Sequence, residues 1–222
     1  MPTPSSPLRI AVLVSGSGSN LQALIDGCAS GLIPGQIVLV LSNNPEAFGI
    51  ERAKRHQIPT EVVNHRLYAN RAAFDQELTR LLEQYEAQLV CLAGFMRVLT
   101  AEFTQHFAGR LLNIHPALLP AFPGLHVQQQ AIDAGVRFSG ATVHFVVPEV
   151  DAGPIVVQAV VPVLADDTAD SLAARILRQE HRIYPLAVRW FAQGRLSLTG
   201  KRVQLRDAQE EREAALIHPS GE

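Results

Sequence analysis

The chain has 222 residues, of which 47% are hydrophobic and 18% charged, and its formal net charge is −2. That length supports a sizeable core, and the apolar content excludes disorder over most of it. With 19 basic against 21 acidic residues there is no global positive field to attract nucleic acid, and no apolar run is long enough to cross a bilayer. The two cysteines, Cys28 and Cys91, fall inside predicted elements among apolar neighbours, so neither a disulfide scaffold nor a cysteine metal site is expected. The opening MPTPSSP lacks the basic-then-apolar pattern of a signal peptide. These features predict a cytoplasmic protein with no nucleic-acid or membrane partner.

In chain order, residues 8–14 (LRIAVLV) form a short continuous apolar run, as a strand buried on both faces does. The loop SGSGSN follows, and residues 20–30 set Leu21, Leu24 and Ile25 at helical spacing. Strands are predicted over 36–44 and 60–63, with a helix over 46–56 between them. Phe74, Leu78, Leu81 and Leu82 form one stripe of a helix over 70–85, and a fourth strand runs over 88–94. The second half is less regular. A strand over 110–114 leads directly into the proline-punctuated loop HPALLPAFPG, and a short helix over 127–134 follows. Two strands, 140–147 and 154–163, flank the loop PEVDAG. Residues 168–193 read as a long amphipathic helix with Thr168 or Asp170 as N-cap, and Pro185 is expected to kink or split it. The acidic tail over 207–222 is expected to be mobile, as are residues 1–7. Alternating strands and helices predict an α/β fold, a mostly parallel twisted sheet flanked by helices, with residues 8–206 as one domain.

Two places carry chemistry. Glycines in SGSGSN allow close backbone approach at a helix N-terminus, which favours an anion, and Ser and Asn add side-chain donors that a plain turn does not need. A dinucleotide is disfavoured: the third glycine of G-x-G-x-x-G is missing, and the second strand ends in Ser42-Asn43-Asn44 rather than in an acid. A single phosphate fits better. The second place is NIHPALLP. Asn113 and His115, two apart in an extended chain, point to the same side at the exit of a predicted central strand. Asp151 lies in the PEVDAG loop, where a carboxylate near His115 would favour the imidazolium and orient the ring. An Asn amide suits a carbonyl oxygen becoming an oxyanion, so the three together suit acyl transfer. No Ser or Cys is placed as a nucleophile, which favours direct transfer between two bound substrates. His144 alternates within an apolar strand and reads as a hydrogen-bonded core residue. His126 is a candidate for the wall of the proline loop, while His56, His65, His106 and His218 read as surface. No spacing matches a metal motif.

The segments SGSGSNLQALID, LAGFMRVLT, LLNIHPALLPAFPGLH, GATVHFVVPEVDAGPIVVQ and EHRIYPLAV resemble the phosphoribosylglycinamide formyltransferases, folate-dependent enzymes of purine biosynthesis with a Rossmann-like fold. The likeness runs from about residue 8 to residue 205. It implies transfer of a formyl group from 10-formyltetrahydrofolate to the amine of glycinamide ribonucleotide, with no metal. It carries the catalytic roles to Asn113, His115 and Asp151. It assigns the ribonucleotide phosphate to Gly18, Ser19 and Asn20 and the ribose hydroxyls to Glu180, with Arg178 and Gln179 beside it. The folate site implied is Arg71, Met96, Arg97, Val98 and Leu99, together with Asn113 and the loop residues Val147, Pro148, Glu149, Val150 and Asp151. Three positions depart from the pattern: Leu177, where a polar residue is common and which Arg178 would replace as a contact, Pro148 and Ala121. The implied partners are the two small molecules, with the protein a monomer or homodimer. Formyltetrahydrofolate hydrolases share the Asn, His and Asp but carry an additional N-terminal domain. Methionyl-tRNA formyltransferases add a basic C-terminal one, so the shortness of this chain is expected to favour the glycinamide branch. A non-catalytic nucleotide-binding module is the reading from another class, and it would have no need of His115.

Overall fold

Alternation along the first strand, β1 (Leu8–Val14), fixes the layering. Ile10, Val12 and Val14 enter one buried cluster, while Ala11 and Leu13 enter another on the opposite face. The computed structural model describes residues 6–208, 216 and 218. A seven-stranded sheet separates the two cores, with β2 (Gly35–Ser42), β3 (Thr60–Val62), β4 (Leu89–Leu92), β5 (Leu111–His115), β6 (Phe138–Phe145) and β7 (Ile155–Pro162) in the order β3-β2-β1-β4-β5-β6-β7. The pairs from β3 through β5 are parallel, and β6 and β7 join antiparallel. The expected mostly parallel sheet is therefore present, with an antiparallel side.

Helices α1 (Ser19–Ala29), α2 (Phe48–Arg55), α5 (Val127–Asp133) and α6 (Ala169–Ala192) cover the first core, and α3 (Arg71–Gln84) and α4 (Ala101–His106) cover the second. The chain runs outward from β1 to β3 and then returns to the other side of β1 at β4. The loops leaving β1 and β4 therefore turn away from each other and open a crevice at the carboxyl ends of the strands, where open α/β sheets bind ligands.

Helix α6 runs unbroken from Ala169 to Ala192, so Pro185 does not split it. Its ring is buried, and a Cβ added at Gly27 would stand 3.5 Å from the Pro185 Cβ, so the proline packs closely against α1. Thr168 is the N-cap, in a reciprocal bond with Ser171. Helix α4 and the terminal hairpin β8 (Leu196–Thr199) with β9 (Arg202–Leu205) have no expected counterpart, being too short for a periodic pattern. Most of the tail over 207–222, and residues 1–5, lie outside the described residues.

Tyr184, fully buried on α6, directs its hydroxyl to the carbonyls of Leu92 at 3.0 Å and Leu112 at 3.2 Å, tying the helix to β4 and β5. Tyr184→Phe is expected to cost about 1–2 kcal/mol, read as a lower urea midpoint at unchanged slope. An unaltered midpoint would mean that the hydroxyl contributes nothing there.

Candidate active site

Strand β5 ends at His115, one residue later than the sequence pattern suggested, because His115 pairs with Thr142 of β6. Asn113 lies opposite His144 in the same ladder. Alternation puts Asn113 and His115 on one side, and the cross-strand partners bring His144 to the same place. Asp151 arrives from the loop between β6 and β7. That loop is tight: an added Cβ at Gly153 would stand 1.7 Å from the Phe145 carbonyl oxygen, and Asp151 itself has φ 53. Glycine is required at 153, and the turn it permits swings the Asp151 carboxylate over the sheet end.

Asp151 Oδ2 stands 3.4 Å from His115 Nδ1 and accepts the Gly124 N–H at 2.9 Å. His115 Nε2 lies 2.9 Å from the Phe122 carbonyl. Both ring nitrogens thus face acceptors, an arrangement that suits the doubly protonated ring. His115 is 5% exposed, so this pairing is shielded from bulk water. Thr142 holds the proline loop in place, donating to the Ala117 carbonyl at 2.7 Å and accepting the Leu119 N–H at 3.1 Å.

His144 is the buried, hydrogen-bonded histidine that its place in an apolar strand predicts, and it also joins this cluster. It is 2% exposed, and its Nε2 lies 3.1 Å from Asn113 Nδ2 and 3.8 Å from Asp151 Oδ1. Its Nδ1 faces the Phe145 carbonyl at 2.9 Å, so Nδ1 donates and Nε2 of the neutral ring accepts from Asn113. That bond fixes which way the Asn113 amide points and leaves its second N–H for a ligand. The signal in the sequence was a polar side chain in an apolar strand, which a structural hydrogen bond also produces. His65, read as surface, is half-buried beside Asn43.

At the other end of the crevice, Gly18 caps α1 with φ 68, and a Cβ there would meet Gly49 Cα at 2.6 Å. Ser19 opens the helix. Asn20 is buried and donates from Nδ2 to Glu180 Oε2 at 2.6 Å, so two residues 160 apart in sequence form one polar floor. Burial pushes the Glu180 carboxyl up, opposed by the Asn20 bond and by the charge of His115, which links this floor to the histidine cluster. Gln179 is half-buried and accepts from Arg182 at 2.9 Å, while Arg178 is exposed. A cavity of about 700 Å³ flanks this end, lined by Ser19, Arg52 and His181 among others. It contains none of Asn113, His115 or Asp151 and is read as an annex to the loop, not as the reaction centre.

The remaining expected positions lie on the β4–α4 and β6–β7 loops and at the start of α3. Met96 (65% exposed), Val98 and Val150 leave apolar surface open, whereas Leu99 is buried. Arg97 is half-buried, Val147 is half-buried, and Arg71, Pro148 and Glu149 are exposed. Arg71 and Arg97 both act on the buried Asp75, whose Oδ2 accepts the Thr100 N–H at 2.6 Å. Burial pushes the Cys28 thiol to about 11 and the Cys91 thiol to about 12, which keeps both protonated and unreactive. Among the described residues no group of three or more His, Cys, Asp or Glu is placed to hold a metal.

A family model described as formyl transferase matches residues 8–188. The chain is 49% identical over 191 residues to the phosphoribosylglycinamide formyltransferase of Escherichia coli (strain K12), spanning 86% of this chain and 90% of that protein. Glycinamide ribonucleotide transformylase 1 from Symbiobacterium toebii superposes with a TM-score of 0.90 at 50% identity, over 92% of this chain and 96% of that one. A formyltetrahydrofolate deformylase from Pseudomonas syringae pv. tomato is similar at 26% identity and a TM-score of 0.85, covering 91% of this chain and 67% of that one.

Burial holds His144 below the ordinary histidine value of 6.5, against the raising effects of the Phe145 bond and Asp151. As pH falls the unfolded chain binds this proton first, so stability is full above that value and is lost as pH drops toward the folded one. Thermal midpoints followed from about pH 7 to about pH 5 should therefore fall more steeply for the wild type than for His144→Asn. Equal slopes would contradict a neutral, buried His144.

Proposed function

The chain belongs to the formyl transferase family, and from that premise we propose how its own residues carry the reaction. It transfers a formyl group from 10-formyltetrahydrofolate to the amine of glycinamide ribonucleotide, giving formylglycinamide ribonucleotide and tetrahydrofolate in purine biosynthesis. We read residues 8–206 as one formyltransferase domain acting on two small molecules in the cytoplasm, as a monomer or homodimer, with no nucleic-acid or membrane partner. The observation that carries the site assignment is the meeting of Asn113, His115, Asp151 and His144 at the carboxyl end of β5.

The ribonucleotide amine attacks the formyl carbon, and the carbonyl oxygen gains negative charge as the carbon becomes tetrahedral. The free N–H of Asn113 is available to that oxygen, preset by His144 so that no reorientation is needed during the step. His115 supplies a proton to the oxyanion from an N–H that now faces Phe122 or Asp151; the attacking amine's proton passes to the folate nitrogen as its C–N bond to the formyl carbon breaks, and the hydroxyl proton returns to His115 as the carbonyl re-forms. Asp151 keeps the ring charged and oriented. With neither cysteine reactive, direct transfer between two bound substrates fits better than a covalent enzyme intermediate.

Gly18, Ser19 and Asn20 would bind the ribonucleotide phosphate through amides at the α1 N-terminus, and Glu180 the ribose hydroxyls, with Arg178 and Gln179 at the rim. The folate would lie along Met96, Arg97, Val98 and Leu99 and the loop Val147, Pro148, Glu149, Val150 and Asp151, with Arg71 opposite its anionic end. Exposed Met96, Val98 and Val150 suit the flat apolar ring.

The deformylase likeness defines the test, since the same cluster could pass the formyl group to water. Purified protein is supplied with 10-formyltetrahydrofolate, with and without glycinamide ribonucleotide. Formyl loss that depends on the ribonucleotide by about 100-fold or more is expected, because the amine held in place replaces a dilute encounter. Equal loss in both would overturn the transferase reading.

A further inference from the structure

The sequence Ser42-Asn43-Asn44 at the end of β2 is used by neither substrate reading, yet Asn43 is 5% exposed and its amide must be satisfied inside the crevice. Ser15, the first residue after β1, supplies the partner. Its Oγ donates to Asn43 Oδ1 at 2.6 Å and accepts the Met96 N–H at 2.7 Å. Its own N–H donates to the Gly94 carbonyl at 3.1 Å. An amide oxygen only accepts, so the single hydroxyl proton is committed to Asn43 and the lone pairs are left for Met96. The Asn43 Nδ2 is then turned toward His65, 3.3 Å from its Nδ1. One hydroxyl thus joins the loops leaving β1, β2 and β4 at the point where the sheet order reverses.

The β4–α4 loop is held at its far end as well, where the Thr100 N–H meets Asp75. Between these anchors Met96 and Val98 remain exposed. The loop's posture therefore depends on side chains outside it. Of the two anchors, Ser15 faces the crevice from the ribonucleotide side.

We propose that Ser15, oriented by Asn43, is a positioning residue for the folate site: through the Met96 N–H it sets the posture in which residues 96–99 receive the folate. The inference rests on the folate reading of that loop. The ribonucleotide contacts fall on Gly18, Ser19 and Asn20, beyond the bond in question, so loss of the hydroxyl acts on one substrate more than on the other.

Calorimetric titration with 10-formyltetrahydrofolate, and separately with glycinamide ribonucleotide, tests this on the wild type, Ser15→Ala, Ser15→Thr and Ser15→Cys. Ser15→Ala is expected to weaken folate binding by about tenfold, the scale of one lost hydrogen bond, and ribonucleotide binding by less than about twofold. Ser15→Thr, which keeps the hydroxyl, should restore folate binding to within about threefold of wild type, and Ser15→Cys, a poor hydrogen-bonding substitute for use if the alanine variant does not fold, should not. In steady state the same loss appears in the folate KM more than in kcat. Unchanged folate affinity in Ser15→Ala and Ser15→Cys overturns the proposal, and so does an equal loss for both ligands with no rescue by threonine. Failure of the wild type to bind the folate at all would instead sink the folate reading itself.

Discussion

The contact between Asp151 and His115 depends on a turn that only glycine permits, and the organisation of the crevice follows from it. With no room for a Cβ at 153, the β6–β7 connection lies flat on the Phe145 carbonyl. Asp151 enters the left-handed region and its carboxylate reaches both His115 and the Gly124 amide. One side chain thereby holds the imidazole and anchors the proline loop that carries Phe122, the second acceptor for the same ring.

The sheet supplies the rest. Because the order reverses between β1 and β4, loops from separate parts of the chain meet at the carboxyl ends of the parallel strands. Antiparallel β6 then sets His144 and Thr142 directly opposite Asn113 and His115 of β5. Charge is used locally throughout. A net charge of −2 gives little long-range attraction, and the polar features the crevice presents are local: the Asp151–His115 pair, the N-terminus of α1 and the Asn20–Glu180 bond.

Much of this was legible in the amino-acid sequence. Continuous apolar runs identified β1, β2 and β4, and the spacing of Phe74, Leu78 and Leu81 identified α3, because burial on fixed periods leaves a direct trace. Asn113 and His115 stood out by their place at a strand end, and Asp151 by its glycine-bearing loop. His144 did not, since a buried histidine looks the same in sequence whether it orients a reacting group or only fills a core. The Ser15–Asn43 bond was illegible for a related reason: it joins residues 28 apart whose meeting depends on which strands are adjacent. Pro185 does not split α6, because a break there is disfavoured where the proline is buried against α1, a contact invisible in a local helix rule.

In the proposed transfer, the central requirement is that His115 and Asp151 act as one unit. Its most direct test is a kinetic double-mutant cycle with His115→Asn, Asp151→Asn and the double variant, measuring kcat for ribonucleotide-dependent formyl transfer. The double variant is expected to be no slower than the slower single variant, because either change already removes the oriented imidazolium. Two losses that multiply independently would contradict it.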